Sequence, residues 1–214
     1  MNRYTETAET WDKLASLYQD KFMDVTLYDS TYDAICNAIS KHNASLLEIG
    51  CGPGNITKYL LTKRPDFAIH GIDNAPAMIE LARKNNPTAS FEVMDSRQIS
   101  ILKTKYDGIV CGFCLPYLSE EDAATLIADC HDLLNENGLL YLSFVEGDPT
   151  KSGFQTGSSG HRIYFQFHDL ENLKKQLNRS NFAKPEVTNV EYRKTENEIE
   201  IHTILITKRQ NHEP

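Results

Sequence analysis

The stretch Leu46–Thr57, LLEIGCGPGNIT, places Gly50, Gly52 and Gly54 between an apolar run and a segment of helical period. Glycine tolerates positive φ and has no Cβ, so such a turn lets another molecule lie against bare main chain. The spacing is not G-x-G-x-x-G, because Asn55 stands where that dinucleotide fingerprint wants its third glycine. No Lys-Ser/Thr follows, as a phosphate-cradling loop would require. The pattern is instead acid-x-G-x-G-x-G, led by Glu48. In an open parallel sheet, ligands bind past the carboxyl end of such a strand.

Working outward, the chain alternates. SLLEI precedes the helix NITKYLLTK, and FAIHGI precedes PAMIELARK, with Pro76 suited to a first helical turn. SFEVM follows, then YDGIVC, the helix EEDAATLIADCHDLL and the strand LLYLSFV, with Asn137-Gly138 expected to cap that helix. Strands alternating with helices imply right-handed crossovers and a mostly parallel sheet, a doubly wound α/β fold with helices on both faces. Upstream, one helix carries Trp11, Leu14, Leu17, Tyr18 and Phe22 at helical spacing. A second, over about 27–41, carries Tyr28, Tyr32, Ile35 and Ile39. Residues 147–160, rich in glycine and small polar residues, read as a mobile loop. Beyond them come HRIYFQF, a helix over about 169–179, and extended runs at 186–192 and 199–207 joined by the turn RKTENE. The expected single domain thus has a helical cap (1–42), a ligand-binding core (43–146), a loop and substrate region (147–168), and a C-terminal helix with an antiparallel hairpin (169–207).

Composition narrows the function. The 214 residues are 40% hydrophobic, enough for one full core, and carry a net charge of -8. An acidic chain without Lys/Arg clusters is poorly suited to a nucleic-acid backbone or an anionic membrane. The first ten residues lack the apolar segment of a secretory leader, and no run has the apolar length of a membrane span, so a cytoplasmic location is expected. The five cysteines are irregularly spaced and do not suggest a disulfide framework. Cys111 and Cys114 make a lone C-x-x-C with no second pair for zinc, so no metal is expected. They read as buried or pocket-wall residues.

Two acids follow successive strands. Asp73 ends the second, where a carboxylate can accept from both hydroxyls of an unphosphorylated ribose, or cap the helix that follows. Asp95 and Ser96 end the third, where they can take an adenine amine and ring edge, or simply form a turn.

The run LLEIGCGPGNIT … GIDNAPAMIELAR … FEVMDSRQI … YDGIVCGFCLPYL resembles the class I S-adenosylmethionine-dependent methyltransferases over roughly residues 45–145. WDKLASLYQDKF is similar to helices that precede this domain in small-molecule members. The resemblance implies a Rossmann-like seven-stranded sheet in order 3-2-1-4-5-7-6 with strand seven antiparallel, and S-adenosylmethionine as cofactor. It implies that Glu48, Gly50, Cys51, Gly52 and Gly54 surround the methionine part, and that Asp73 holds the ribose. Asp95 and Ser96 would hold the adenine, Asn74 and Met78 would flank the nucleoside, and Cys111 and Phe113 would line the pocket.

Acceptor contacts are expected from Trp11, Tyr18, Tyr117, His161 and Tyr164, with His168 a further candidate; for each, plain packing or surface exposure is the alternative. No general base is identifiable. Methyl transfer from a sulfonium is an in-line displacement helped mainly by positioning, and a base matters only when the nucleophile carries a proton. CGFCLPY lacks the polar-Pro-Pro-aromatic pattern common in methylases of base amines, so a small-molecule acceptor is favoured. A nucleic-acid or protein methyltransferase, a non-catalytic sensor of the cofactor, and a nicotinamide oxidoreductase (disfavoured by Asn55) are the rivals. Oligomeric state has no signature in the chain.

Overall fold

The computed structural model describes residues 2–157, 160–196 and 198–210. Its centre is a seven-stranded sheet. Strands β1 (Ser45–Ile49), β2 (Ala68–Asp73), β3 (Ser90–Val93), β4 (Tyr106–Cys111) and β5 (Leu134–Val145) run parallel, and β8 (Glu186–Thr195) and β9 (Glu198–Lys208) close one edge. The order is β3-β2-β1-β4-β5-β9-β8, with β9 antiparallel to both neighbours. β6 (Gly153–Thr156) and β7 (Arg162–Phe165) form a separate hairpin. Leaving that hairpin out, the sheet has the order and the antiparallel strand that the resemblance implies.

Alternate residues of each strand face opposite layers. Leu47 and Ile49 of β1 meet α5 (Glu120–Leu133) and α6 (Leu170–Arg179) on one face. Leu46 meets α2 (Asp29–Ala38) and α3 (Asn55–Lys63) on the other, through Tyr32, Ile35 and Leu60. α4 (Pro76–Asn85) sets Ile79 and Ala82 on Phe91 and Cys51. α5 begins at Ser119, whose hydroxyl accepts from the Asp122 N–H, and α6 at Asp169, whose carboxylate accepts from the Asn172 N–H. Among the described residues no helix is long and apolar enough to cross a membrane.

α1 (Arg3–Phe22) lies over the carboxyl end of the sheet, with Ala15 against Ala75 and Met78. Of the expected face, Trp11, Leu14, Tyr18 and Phe22 are half-buried and Leu17 is 57% exposed, while the fully buried positions are Thr7, Thr10 and Ala15. The reason is the neighbour: Thr7 Oγ1 accepts from the Tyr164 N–H and Thr10 Oγ1 donates to the Arg162 carbonyl, binding α1 to the edge of β7.

The expected helix cap at Asn137-Gly138 is corrected. α5 ends at Leu133, and Asn137, at φ 58°, sits within β5 where the β4–β5 register shifts. The expected loop over 147–160 holds a short 3-10 turn and β6, which pairs with β7; Ser158 and Ser159 lie outside the described residues. β8 and β9 extend into the expected RKTENE turn, of which Asn197 lies outside the described residues.

Candidate active site

The glycine turn leaves β1 with Gly50 at φ 67°, Gly52 at 52° and Gly54 at 80°, values that favour glycine. The Cys51 N–H donates to the Ile72 carbonyl at 2.9 Å, so the turn leans on β2. The Asp73 carboxylate completes the brace. It accepts from the Gly52 N–H and the Ala75 N–H, each at 2.9 Å. Burial pushes the Asp73 carboxyl above its usual range, and these amides oppose that shift.

Around this brace is a hollow of about 100 Å³, lined by Gly50, Gly52, Asp73, Asn74, Met78, Met94, Ser96, Phe113 and Cys114. α1 and the 3-10 turn after β4 close it with Trp11, Tyr18 and Tyr117. Trp11 meets Tyr18 edge-on at 5.5 Å and Tyr117 at 5.8 Å. Burial pushes the Tyr18 phenol up to about 12 and Tyr117 higher, so both stay neutral. The Trp11 Nε1–H is buried without a partner.

A second cavity of about 270 Å³ adjoins the first and shares Trp11, Tyr18, Gly50, Gly52, Phe113 and Tyr117 with it. Its own walls are aromatic: Phe22, Tyr28, Tyr32, Phe165, Tyr192 and His202. Together the two reach the lower part of the roughly 300–1,000 Å³ usual for ligand sites. Phe113 forms the partition. Its backbone is left-handed, at φ 55°, and its N–H is held by Ser143 Oγ at 2.9 Å. Non-glycine residues in that conformation cluster at functional sites. Glu48 faces the second cavity. It is 2% exposed and accepts from the Thr57 hydroxyl, and burial raises its carboxyl to about 8.

A methyltransferase domain model matches residues 46–138, the segment that builds the glycine turn, both strand-end acids and the start of β5. The segment is a methyltransferase domain, and the sheet around it has the Rossmann-like methyltransferase fold. An uncharacterized methyltransferase of Alkaliphilus oremlandii is 28% identical over 173 residues, 78% of each chain. A trans-aconitate 2-methyltransferase of Enterobacter sp. is 38% identical over 97 residues, 45% of this chain and 37% of that one. The structure of a Burkholderia thailandensis 1,6-didemethyltoxoflavin-N1-methyltransferase, with bound S-adenosylhomocysteine, superposes with a TM-score of 0.67 at 19% identity, covering 99% of this chain and 92% of that one. Several curated relatives are longer, and this chain spans 31% to 37% of their length.

The fold brings most of the expected residues to one place and leaves others out. Asp95 does not line the hollow. Its carboxylate pairs with Arg97, Nη2 to Oδ2 at 2.6 Å, and accepts from the Arg97 N–H at 2.9 Å. It lines a neighbouring shallow cleft with Tyr4 and Asn74, while Ser96 lines the hollow. Gly54 is a packing glycine: a Cβ there would stand 2.4 Å from Asn86 Nδ2. Cys111 is fully buried in the core, and its neighbour Cys114 reaches the hollow instead. Cys51 touches only the second cavity. His161 is exposed and Tyr164 lies outside both cavities. Strand alternation turns Ile163 and Phe165 inward and Tyr164 outward, under the Arg3 guanidinium 4.5 Å away. His168 is structural, with Nε2 2.8 Å from the Leu115 carbonyl. Residues the sequence reading missed are Tyr28, Tyr192, Glu200 and His202. The only signals were helical spacing for Tyr28 and alternation in the last two strands for the others, which name a face and not what it faces.

Proposed function

We propose that this chain transfers a methyl group from S-adenosylmethionine to a small-molecule acceptor held in the aromatic cavity. The observation that carries the reading is the shared wall: a bare-backbone hollow braced by Asp73 adjoins an acceptor-sized aromatic cavity through Phe113, Trp11, Tyr18 and Tyr117.

The residues present fit the cofactor. Two lone-pair positions of the Asp73 carboxylate are taken by backbone amides, leaving two for ribose hydroxyls. Gly50 and Gly52 offer main chain without a Cβ to the amino-acid part, and the orphan Trp11 Nε1–H supplies a donor at the partition. Ser96 and Asn74 flank the base end. The cofactor supplies an activated methyl on a sulfonium that leaves as a neutral thioether. The protein's part is therefore mostly positional. Neutral Tyr18, Tyr117 and Phe113 exclude water and present ring faces to a cation. The aromatic walls favour a planar, largely apolar acceptor, with Lys21 able to meet an acidic substituent.

Calorimetry with S-adenosylmethionine, S-adenosylhomocysteine and NAD side by side tests the reading. Binding of the first two and not the third is expected. NAD binding alone refutes it. Cofactor binding without turnover of any acceptor in a small-molecule library supports the sensor alternative.

A further inference from the structure

One polar assembly faces the acceptor cavity and is not used by cofactor binding. Tyr28, just before α2, and Glu200 and His202, on β9, all line that cavity. The Tyr28 hydroxyl lies 2.7 Å from His202 Nδ1. On the other side of the ring, His202 Nε2 is 3.6 Å from Glu200 Oε2 and has no hydrogen-bond partner. The imidazole is clamped flat against Tyr192, at 4.9 Å and 12° between planes, and edge-on to Phe113 at 4.9 Å. Lys194 holds Glu200 by the other oxygen, Oε1, at 2.7 Å, which leaves Oε2 turned toward the histidine.

This arrangement favours one tautomer. A carboxylate can only accept, and from 3.6 Å its charge favours a proton on the nitrogen that faces it, Nε2, over one on Nδ1. The Tyr28 hydroxyl then donates to Nδ1, and its oxygen lone pairs are left for a donor in the cavity. We propose that Tyr28, His202 and Glu200 form a proton relay for the methyl acceptor, and that the acceptor is therefore a protic nucleophile, a phenol or a heteroaromatic N–H. This rests on the methyl-transfer reading above. In the step, the acceptor's proton passes to Tyr28 Oη as the tyrosine's own proton passes to His202 Nδ1. The electron pair of the broken X–H bond forms the bond to the methyl carbon, and the carbon–sulfur pair departs with sulfur. The resulting imidazolium is balanced by Glu200.

The titration behaviour agrees with this role. Burial lowers the His202 pKa and Glu200 partly restores it, so the ring is a neutral base near pH 7. Burial pushes the Tyr28 phenol well above its usual range, which suits a hydroxyl that passes a proton on and does not ionise. The titratable and charged groups around the ring are Glu200 on β9, Tyr192 and Lys194 on β8, and Tyr28. β5 presents Val145 and the end of β4 Phe113, neither of which titrates.

The test has two arms on the full chain. Nitrogen-15 NMR of the histidine side chains in the S-adenosylhomocysteine complex, with His202 assigned from His202→Gln, should show bare Nδ1 and protonated Nε2. Tyr28→Phe should shift the Nδ1 signal. The opposite tautomer overturns the relay. In the second arm, planar phenols and N–H heteroaromatics are compared with trans-aconitate, a carboxylate with no proton to lose, at neutral pH. With a protic acceptor, Tyr28→Phe and His202→Gln should each lower kcat by about 10²-fold or more with KM little changed. Glu200→Gln should lower the plateau and move the acid limb of the kcat profile to lower pH, because the remaining imidazole is harder to protonate. Variants within threefold of the parent overturn the relay, as does turnover of trans-aconitate alone. Absence of S-adenosylhomocysteine binding would instead strike the methyl-transfer reading beneath it.

Discussion

Asp73 ties the glycine turn to the second strand and faces the cofactor hollow, so its removal separates two effects that can be measured apart. In Asp73→Ala the amides of Gly52 and Ala75 each lose an acceptor at 2.9 Å. Partial rehydration offsets this, and a cost of about 1–3 kcal/mol in stability is expected, lowering Tm by roughly 2–4 °C per kcal/mol in a chain this size. The variant stays folded. The ligand effect is additional. With two carboxylate positions free for two ribose hydroxyls, the lost charged hydrogen bonds amount to about 1–3 kcal/mol after water fills the vacated space, or roughly 5- to 150-fold in Kd. Asp73→Asn should do no better, because both amides are donors and the new NH2 must face one of them. Affinity should also weaken at acid pH, starting above the range of an ordinary aspartate, because burial raises this pKa and only the carboxylate accepts from both hydroxyls. Calorimetry with S-adenosylhomocysteine across pH measures both. A Kd within twofold of the parent in a folded variant would show that the ribose does not lie against Asp73.

Glu48→Gln should flatten the pH dependence of stability. With its folded pKa raised to about 8, Glu48 contributes stability that is full below the unfolded carboxyl range and is lost as pH rises through 8. Each tenfold difference in proton affinity between the folded and unfolded chain is worth about 1.4 kcal/mol. Urea melts of both forms at pH 5 and 8 should converge at the lower value, and parallel curves refute the buried acid. Gly54→Ala combines a left-handed backbone with a Cβ driven into Asn86 Nδ2, which donates to the Gly54 carbonyl at 2.9 Å, and should cost about 2–4 kcal/mol by denaturant unfolding; a loss under about 1 kcal/mol would mean the turn relaxes freely. Asp95→Ala should change S-adenosylhomocysteine affinity within about 0.5 kcal/mol, because Arg97 already occupies that carboxylate; a loss as large as that of Asp73→Ala would show that the pair opens for adenine.

Most of the braced hollow was legible in the chain itself because it is built from strand ends and the turns that follow them. The glycines at 50, 52 and 54 demand a backbone only glycine adopts easily, and Asp73 ends the next strand in register, Ile49 pairing with Ile72. Such features are local, so periodicity and turn chemistry reveal them. The lining of the aromatic cavity was not legible. His161 and Tyr164 looked as suitable as Ile163 and Phe165, and only the pairing of β6 with β7 against α1 decides which side chains turn inward. Arg97 and Asp95 are two residues apart, yet nothing in that spacing says that the pair closes, with the guanidinium 3.8 Å from the Tyr4 ring.

The amino-acid sequence by itself thus determined the α/β alternation, the bare-backbone turn and the acid beside it, because each depends on residues within one strand–turn–helix unit. The tertiary structure alone decided that Tyr28 meets His202, which is 174 positions away, and that an aromatic cavity shares a wall with the hollow. The physical reason is that β9 enters antiparallel between β5 and β8. That order and register, set by burial of whole sheet faces, select which distant side chains share one cavity.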